Sequence, residues 1–304
     1  MSAAGSVLVT GAGGFVGSAL AEGFAALGWR VTALDREFDP ATRERLHGCT
    51  LVSAALGDTA PADLPPVTLV IHAAAVTTAA SDLGWTPAAH VAANMRPLVA
   101  MLEYAARTRP AAFVFLSSSG VFAAGDGGDV LTDADTPTGD SPYAAAKRAG
   151  ELLTPAALEG VTAAHVIRLG YLYGPHEIAR PTRARPSVVA RWLAAARDGQ
   201  PLLVPADDPR RDWTFTSDLA PALARLIARP PAGRVVHLCS PFIRTDSAMA
   251  AAIAAHVPGA VCASAPAAGP AKPPMRASDL SPFGLQWTAP DAALAHLVAT
   301  EVAA

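Results

Sequence analysis

Short apolar runs alternate with amphipathic stretches through the first half of the chain. Ser6-Val7-Leu8-Val9 reads as a buried strand and runs into a glycine-rich turn, Thr10 to Gly17. A helical pattern follows with Phe15, Ala19, Leu20, Phe24 and Leu27 on one side, and Gly28 stands where a glycine ends a helix. The next strand, Arg30 to Leu34, ends on Asp35. Strand, glycine turn, helix, strand and acid make one βαβ unit. The alternation continues through apolar runs at 51–54, 67–71, 113–116 and 165–169. Thr86-Pro87 opens a helix reaching about Arg107 that Pro97 can bend, and Ser141-Pro142 opens another. Such a pattern predicts an α/β protein, a Rossmann-type doubly wound parallel sheet covered on both faces.

After Leu169 the rhythm changes. Residues 174–186 form a Pro- and Arg-rich loop, 187–197 a helix, and 201–213 an irregular stretch. Ser217-Asp218 is expected to cap a helix to about Ala228, and Val235 to Leu238 returns as a strand. Residues 263–274 read as Ala/Pro/Gly loop, and a last helix spans about 290–302. The division expected is a dinucleotide-binding domain over 1–170, completed by sheet elements around 214–240. A smaller lobe, mostly 171–304, interleaves with it and binds substrate.

Composition narrows the class. The chain has 304 residues, of which 51% are hydrophobic, but no run of the length that spans a membrane. The first apolar run meets glycines at once and lacks a basic segment ahead of it, unlike a signal peptide. Three scattered cysteines, Cys49, Cys239 and Cys262, make no metal-spaced pair and suit a reducing compartment. A net charge of −3 with no basic run gives no reason to expect nucleic-acid binding. The expectation is a cytoplasmic globular protein with neither membrane nor nucleic-acid partner.

Two stretches carry chemistry. In the glycine turn, Gly11, Gly14 and Gly17 are three apart. Glycines there permit a tight turn, let backbone amides approach a pyrophosphate and allow close helix–strand packing. Asp35, closing the second strand, suits the 2′-hydroxyl of an adenosine ribose and repels a 2′-phosphate, which points to NAD over NADP. Arg36 beside it could offset some of that repulsion. Asp58 either reaches the adenine amino group or caps a turn. In the second stretch, Tyr143 and Lys147 stand at i and i+4 on one helix face, and Ser117-Ser118-Ser119 ends a buried strand. A phenol beside an ammonium, with a serine hydroxyl delivered from a strand end, is a proton-transfer arrangement, because a neighbouring cation favours a phenolate.

These residues, with His72-Ala73-Ala74-Ala75, Asn94, Val121-Phe122, Arg168 and Tyr173-Gly174-Pro175, occur in an order that resembles the extended short-chain dehydrogenases/reductases of the NAD-dependent epimerase/dehydratase type. The likeness covers nearly the whole chain. It implies Tyr143 as catalytic acid/base, and Lys147 as ligand of the nicotinamide ribose that also lowers the tyrosine pKa. By the family's spacing from Val121-Phe122, Ser118 is the catalytic hydroxyl, with Ser119 beside it. Gly11, Gly14, Phe15, Val16, Gly17, Asp35, Arg36, Asp58, Ala73 and Ala74, with Tyr143 and Lys147, are the implied NAD contacts. Asn94 matches an asparagine that bends its helix and holds a proton-relay water, though a plain helix polar residue fits as well. His72 is read as structural.

The resemblance spans several reactions. A dehydratase of the family carries an Asp-Glu pair after the catalytic hydroxyl; here Ser119-Gly120 follows Ser118, which argues against elimination. Tyr171 replaces an asparagine that contacts nucleotide sugars. Arg211, in Arg211-Asp212-Trp213, matches an arginine that grips a substrate phosphate, while Arg180, Arg183 and Arg185 read as a solvated face. Ser118, Ser119, Tyr171 and Arg211 are the expected substrate contacts, and no metal is expected. The reading preferred is NAD-dependent oxidation of a secondary hydroxyl on a sugar acid, polyol or similar small molecule. Epimerisation through a transient ketone is the close alternative, and a non-catalytic dinucleotide sensor a remote one. A homodimer is expected through the Asn94 and Tyr143 helices. Leu98, Met101, Leu102 and Ala105 suit that packing or burial against the sheet.

Overall fold

The computed structural model describes residues 5–228 and 235–301. Its strands are β1 (Ser6–Thr10), β2 (Arg30–Asp35), β3 (Thr50–Ser53), β4 (Leu69–His72), β5 (Ala112–Ser118), β6 (Ala163–Leu169), β7 (Tyr171–Tyr173), β8 (Leu202–Pro205), β9 (Arg210–Phe215), β10 (Val235–Leu238), β11 (Ile243–Thr245) and β12 (Cys262–Ala265). The helices are α1 (Phe15–Ala26), α2 (Pro40–Arg45), α3 (Pro87–Thr108), α4 (Pro142–Leu158), α5 (Val188–Arg197), α6 (Leu219–Ile227), α7 (Asp246–His256) and α8 (Pro290–Glu301).

Seven strands form one parallel sheet in the order β10-β6-β5-β4-β1-β2-β3. Chain order reverses between β1 and β4, and ligands of such sheets bind outside the carboxyl ends of the strands at that point. Leu20, Ala21 and Phe24 of α1 and Leu219, Leu223 and Leu226 of α6 bury one face of the sheet. On the other face, Leu98, Met101, Leu102 and Ala105 of α3 pack with Phe113 and Phe115. Those four α3 residues are therefore consumed by the chain's own core, and an interface between copies would have to use other side chains of the helix. Thr86 caps α3 through the Ala89 N–H, and the helix runs on through Pro97.

A second core gathers Tyr173, Trp192, Trp213, Phe215, Met249, Ile253 and Leu294. It lies among β7-β9-β11, the pair β8-β12, and helices α5, α7 and α8. Here the sequence pattern misleads. Residues 201–213, expected to be irregular, contain β8 and the start of β9, and β12 lies where a loop was expected. Both are short, and β12 alternates half-buried and exposed positions with no strong apolar partner, so periodicity carried little signal. Asp218 does not cap α6; its carboxylate accepts from the N–H and hydroxyl of Thr288 and so ties down the chain ahead of α8. No helix among the described residues is long and apolar enough to cross a membrane.

Candidate active site

The glycine turn lies between β1 and α1. Gly11 adopts φ +68°, and a Cβ there would meet the Ala74 backbone at 2.7 Å; one on Gly17 would meet the Gly11 carbonyl oxygen at 2.1 Å. Gly14 precedes α1 without a side-chain cap, so the first N–H groups of this helix of 12 residues are left for an anion. The cleft outside the strand ends is lined by Gly11, Gly14, Phe15, Val16 and Gly17, by Asp35 and Arg36, and by Ala73 and Ala74. Asp35 Oδ2 accepts from the Gly13 N–H at 2.8 Å and Oδ1 from the Arg36 N–H at 2.6 Å. Burial nevertheless raises its pKa above the ordinary carboxylate value. A turn whose glycines cannot bear a side chain, an uncapped helix and a carboxylate at the end of β2 together fit a dinucleotide. Asp58 is not part of this cleft. It is exposed and paired with Arg96 at 3.4 Å on the surface.

Arginines from beyond β7 close the cleft. Residues 180–183 form a tight turn, with backbone hydrogen bonds between Arg180 and Arg183 in both directions. The Thr182 carbonyl accepts from the N–H groups of Thr77 and Thr78, and the Thr78 hydroxyl donates to the Pro181 carbonyl at 2.7 Å. Arg180 is ion-paired with Asp39, whose pKa is about 2: its hydrogen bonds to Thr42 and Arg180 outweigh its desolvation. Arg183 pairs with the buried Glu177 and lies 5.3 Å above the Phe15 ring. Only Arg185 of the three loop arginines is a solvated one. Arg180 and Arg183 instead form the outer wall of the cleft as a strap, fastened on both sides.

The three serines at the end of β5 diverge. Ser117 donates to Glu151 Oε1 at 2.6 Å beneath the site. Ser118 is hydrogen-bonded with the Tyr143 phenol and accepts from the Gly120 N–H at 3.0 Å. Ser119 accepts from Lys272 Nζ at 2.7 Å. Ser141 caps α4, which presents Tyr143, Lys147 and Glu151 in succession along one face. Lys147 is buried; its Nζ donates to the Leu116 carbonyl at 2.7 Å and lies 4.9 Å from the Phe115 ring and 5.8 Å from the Tyr143 ring. Burial lowers its pKa to about 8, with Glu151 pulling upward. Tyr143 is pushed above its ordinary value by burial, opposed by the Ser118 hydrogen bond and by the charge of Arg183. The downward pull expected from Lys147 is not what the structure shows, because that ammonium is turned to the Leu116 carbonyl.

Asn94 holds the loop after β4 rather than pointing into it: Val76 N–H donates to its Oδ1 at 2.9 Å, and its Nδ2 donates to the carbonyls of His90 and Val76. His72 is fully buried, its Nδ1 3.0 Å from the Thr10 hydroxyl, and burial lowers its pKa to about 3. Arg211 does not offer a free fork to a phosphate. Its Nε and Nη2 bind Asp246 at 2.6 and 2.8 Å while the guanidinium stacks on Tyr171 at 4.3 Å. The Tyr171 hydroxyl accepts from the Val188 N–H.

Several residues escaped the sequence reading. Gly13 binds Asp35 within the turn, and Glu151 forks onto Arg168 through two hydrogen bonds of 2.8 and 2.7 Å. Glu151 could have been found as the next i+4 position after Lys147, facing an arginine set in an apolar strand. Lys272 and Asp212 come from distant segments and left one trace: of 23 basic residues only two, Lys147 and Lys272, are lysines.

A parallel sheet of this order, a glycine turn before an uncapped helix and a Ser118–Tyr143–Lys147 cluster define a dinucleotide-dependent oxidoreductase. Residues 7–239 match the NAD dependent epimerase/dehydratase family, and the chain belongs to that family, whose members are NAD-dependent enzymes. It is 28% identical over 253 residues to a dTDP-glucose 4,6-dehydratase from Streptomyces niveus, covering 76% of this chain and 71% of that protein. Its fold matches that of an NAD-dependent NDP-hexosamine 5,6-dehydratase of tunicamycin biosynthesis with a TM-score of 0.80 at 22% identity, over 97% of both chains. It also matches a UDP-N-acetylglucosamine 4-epimerase from Methanobrevibacter ruminantium M1 with a TM-score of 0.83 at 18% identity, over 98% of both.

Proposed function

We propose that this enzyme oxidises a secondary hydroxyl of a sugar-like substrate to a ketone and reduces the product again before releasing it, the cycle of an epimerase. The observation that carries this is the strap at residues 180–183. It walls the cofactor cleft and is tied to Asp39 on one side and to Thr77 and Thr78 on the other. Release of a dinucleotide requires those bonds to open, which suits a cofactor kept through the cycle better than one exchanged at every turnover. That weighs against the simple dehydrogenase preferred from sequence. Bound NAD supplies a hydride acceptor and donor. Asp35 would hold its adenosine ribose, the glycine turn and the first N–H groups of α1 its pyrophosphate, and Lys147 its nicotinamide ribose.

Tyr143 takes the proton of the substrate hydroxyl and later returns it, while Ser118 orients that oxygen by a hydrogen bond. Burial favours the neutral phenol, so the proton leaves Tyr143 only with the help of the Ser118 hydrogen bond and the charge of Arg183. Asn94 keeps the loop at Val76 in place against α3. A nucleotide sugar fits the relatives, which include enzymes named for UDP- and dTDP-sugars. Two copies could pair through the outer faces of α3 and α4, where Val99 and Leu152 are exposed. The deciding measurement is to denature the purified protein and quantify the NAD(H) set free. Near-stoichiometric cofactor is expected; a protein that purifies empty, binds NAD weakly and reduces it in bulk with a sugar acid or polyol would restore the dehydrogenase.

A further inference from the structure

Lys272 is a basic side chain at the active site that the cycle at Tyr143 does not use. It lies in the segment between β12 and α8, which is stitched to two elements. The Leu131 N–H donates to the Pro274 carbonyl at 2.9 Å, Arg276 N–H donates to the Leu131 carbonyl at 2.8 Å, and Met275 N–H donates to Asp212 Oδ1 at 3.2 Å. The amine so placed donates to Ser119, next in the chain to the serine that binds the Tyr143 phenol. Two charged groups face it, the Asp212 carboxylate within β9 and the Arg211 guanidinium. Asp212 is itself fixed by the N–H groups of Tyr171 and Met275.

We propose that Lys272 is a second proton-transfer group of this active site, removing and returning the proton on the carbon next to the one whose hydroxyl Tyr143 deprotonates. The proposal rests on the epimerase-type reading, because that carbon becomes acidic only beside a ketone. In the step, the neutral amine takes the proton from carbon. The pair of the broken C–H bond forms the carbon–carbon double bond of an enolate, and the carbonyl π pair moves to the oxygen held by Ser118 and Tyr143. The ammonium then returns a proton to carbon. If the next carbon bears a hydroxyl, the enolate instead expels it, and the proton on Lys272 completes a molecule of water. No oxidant or reductant is consumed.

Two features favour this role over simple ion pairing. Burial and the charge of Arg211 lower the Lys272 pKa to about 8, against the pull of Asp212, which is itself raised to about 6 by its own burial. The amine can therefore exist neutral near physiological pH. A guanidinium cannot, and the other basic positions of this chain are arginine except Lys147. Ser119-Gly120 supplies no acid of its own after Ser118, but Lys272 is brought to Ser119 from 153 residues away.

Two measurements on the NAD-loaded enzyme test it. With carbon-13-labelled lysine the protein shows two side-chain NMR signals, and the one absent from Lys272→Arg is expected to titrate near 8; an ammonium that stays charged past pH 10 overturns the proposal. In deuterium oxide, with a panel of UDP- and dTDP-hexoses as probes, the readout is deuterium entering the carbon beside the ketone, relative to reduction of bound cofactor at 340 nm. That ratio should fall about 100-fold or more in both Lys272→Met and Lys272→Arg. Arginine keeps the charge and the donor to Ser119, so a wild-type ratio in Lys272→Arg overturns the proposal, as does cofactor reduction without deuterium entry in the wild type. Absence of cofactor reduction with every probe would instead remove the reading beneath it.

Discussion

Glu151→Gln removes the carboxylate that is paired with Arg168 in the interior. The pair is 7% and 6% exposed, and both carboxylate oxygens are engaged, with Ser117 donating to Oε1 as well. Arg168 has further neighbours in His237 Nε2 at 3.3 Å and the Phe122 ring at 4.9 Å, neither of which carries a full negative charge. Glutamine keeps the shape but leaves a buried guanidinium without its counter-charge, which costs about 3–5 kcal/mol. With a urea slope of about 3 kcal/mol/M, the midpoint should fall by about 1–1.7 M. Replacing both partners by apolar residues, Glu151→Leu with Arg168→Met, should recover most of that loss, because the desolvation of two charges disappears with them. The same substitution bears on the site. Glu151 holds the Lys147 pKa up, so without it the ammonium loses its charge at lower pH, and NAD binding should decline at lower pH on the alkaline side. Urea titration by circular dichroism and NAD binding against pH read the two effects. A single variant within about 1 kcal/mol of wild type, or a double variant no better than the single, would refute the reasoning.

Three further outcomes are expected. Tyr143→Phe should lower turnover by about 10²–10⁴ while the NAD(H) content of the purified protein stays at the wild-type level; substantial residual activity would remove Tyr143 from the chemistry. Arg180→Ala cuts a partly exposed ion pair of about 1 kcal/mol, so NADH release followed by stopped-flow fluorescence should quicken about fivefold, and an unchanged rate would show that the strap does not retain the cofactor. His72 is held neutral with a pKa of about 3, whereas the unfolded chain takes up its proton near 6.5; its contribution is complete above 6.5 and is lost as pH falls toward 3. At 1.36 kcal/mol per pKa unit the ceiling of that loss is about 5 kcal/mol, so His72→Asn should flatten stability between pH 6.5 and 4, and equal slopes would contradict the assignment.

The sheet was legible because each of its strands is an apolar run bounded by turn residues, and because the order of glycine turn, acid and serine-tipped strand is tied to that topology. Asp35 and Tyr143 could be placed for the same reason: each sits at a strand end or first helical turn, where local sequence sets position. The second lobe was less legible. Strands β7, β8, β11 and β12 have three or four residues each, too few for a period to show, and their pairing is set by contacts distant in the chain. Charged side chains were misread most often, since sequence shows a charge but not its partner. Arg211 belongs to Asp246 and Arg180 to Asp39.

Ser117, Ser118 and Ser119 show how far that difficulty reaches. Three identical side chains in a row differ only in direction, which the pleat of β5 and the turn after it decide. Ser117 points to the buried carboxylate of Glu151, Ser118 to the phenol, and Ser119 to an amine from the second lobe. Reading the residues after Ser118 in sequence gives one acid/base at this site. Reading outward from Ser119 in space gives a second nitrogen, a carboxylate behind it, and a fixed backbone holding both. A site assembled between two lobes has to be inventoried by contact, since the proton-transfer groups of one lobe leave no mark in the sequence motif of the other.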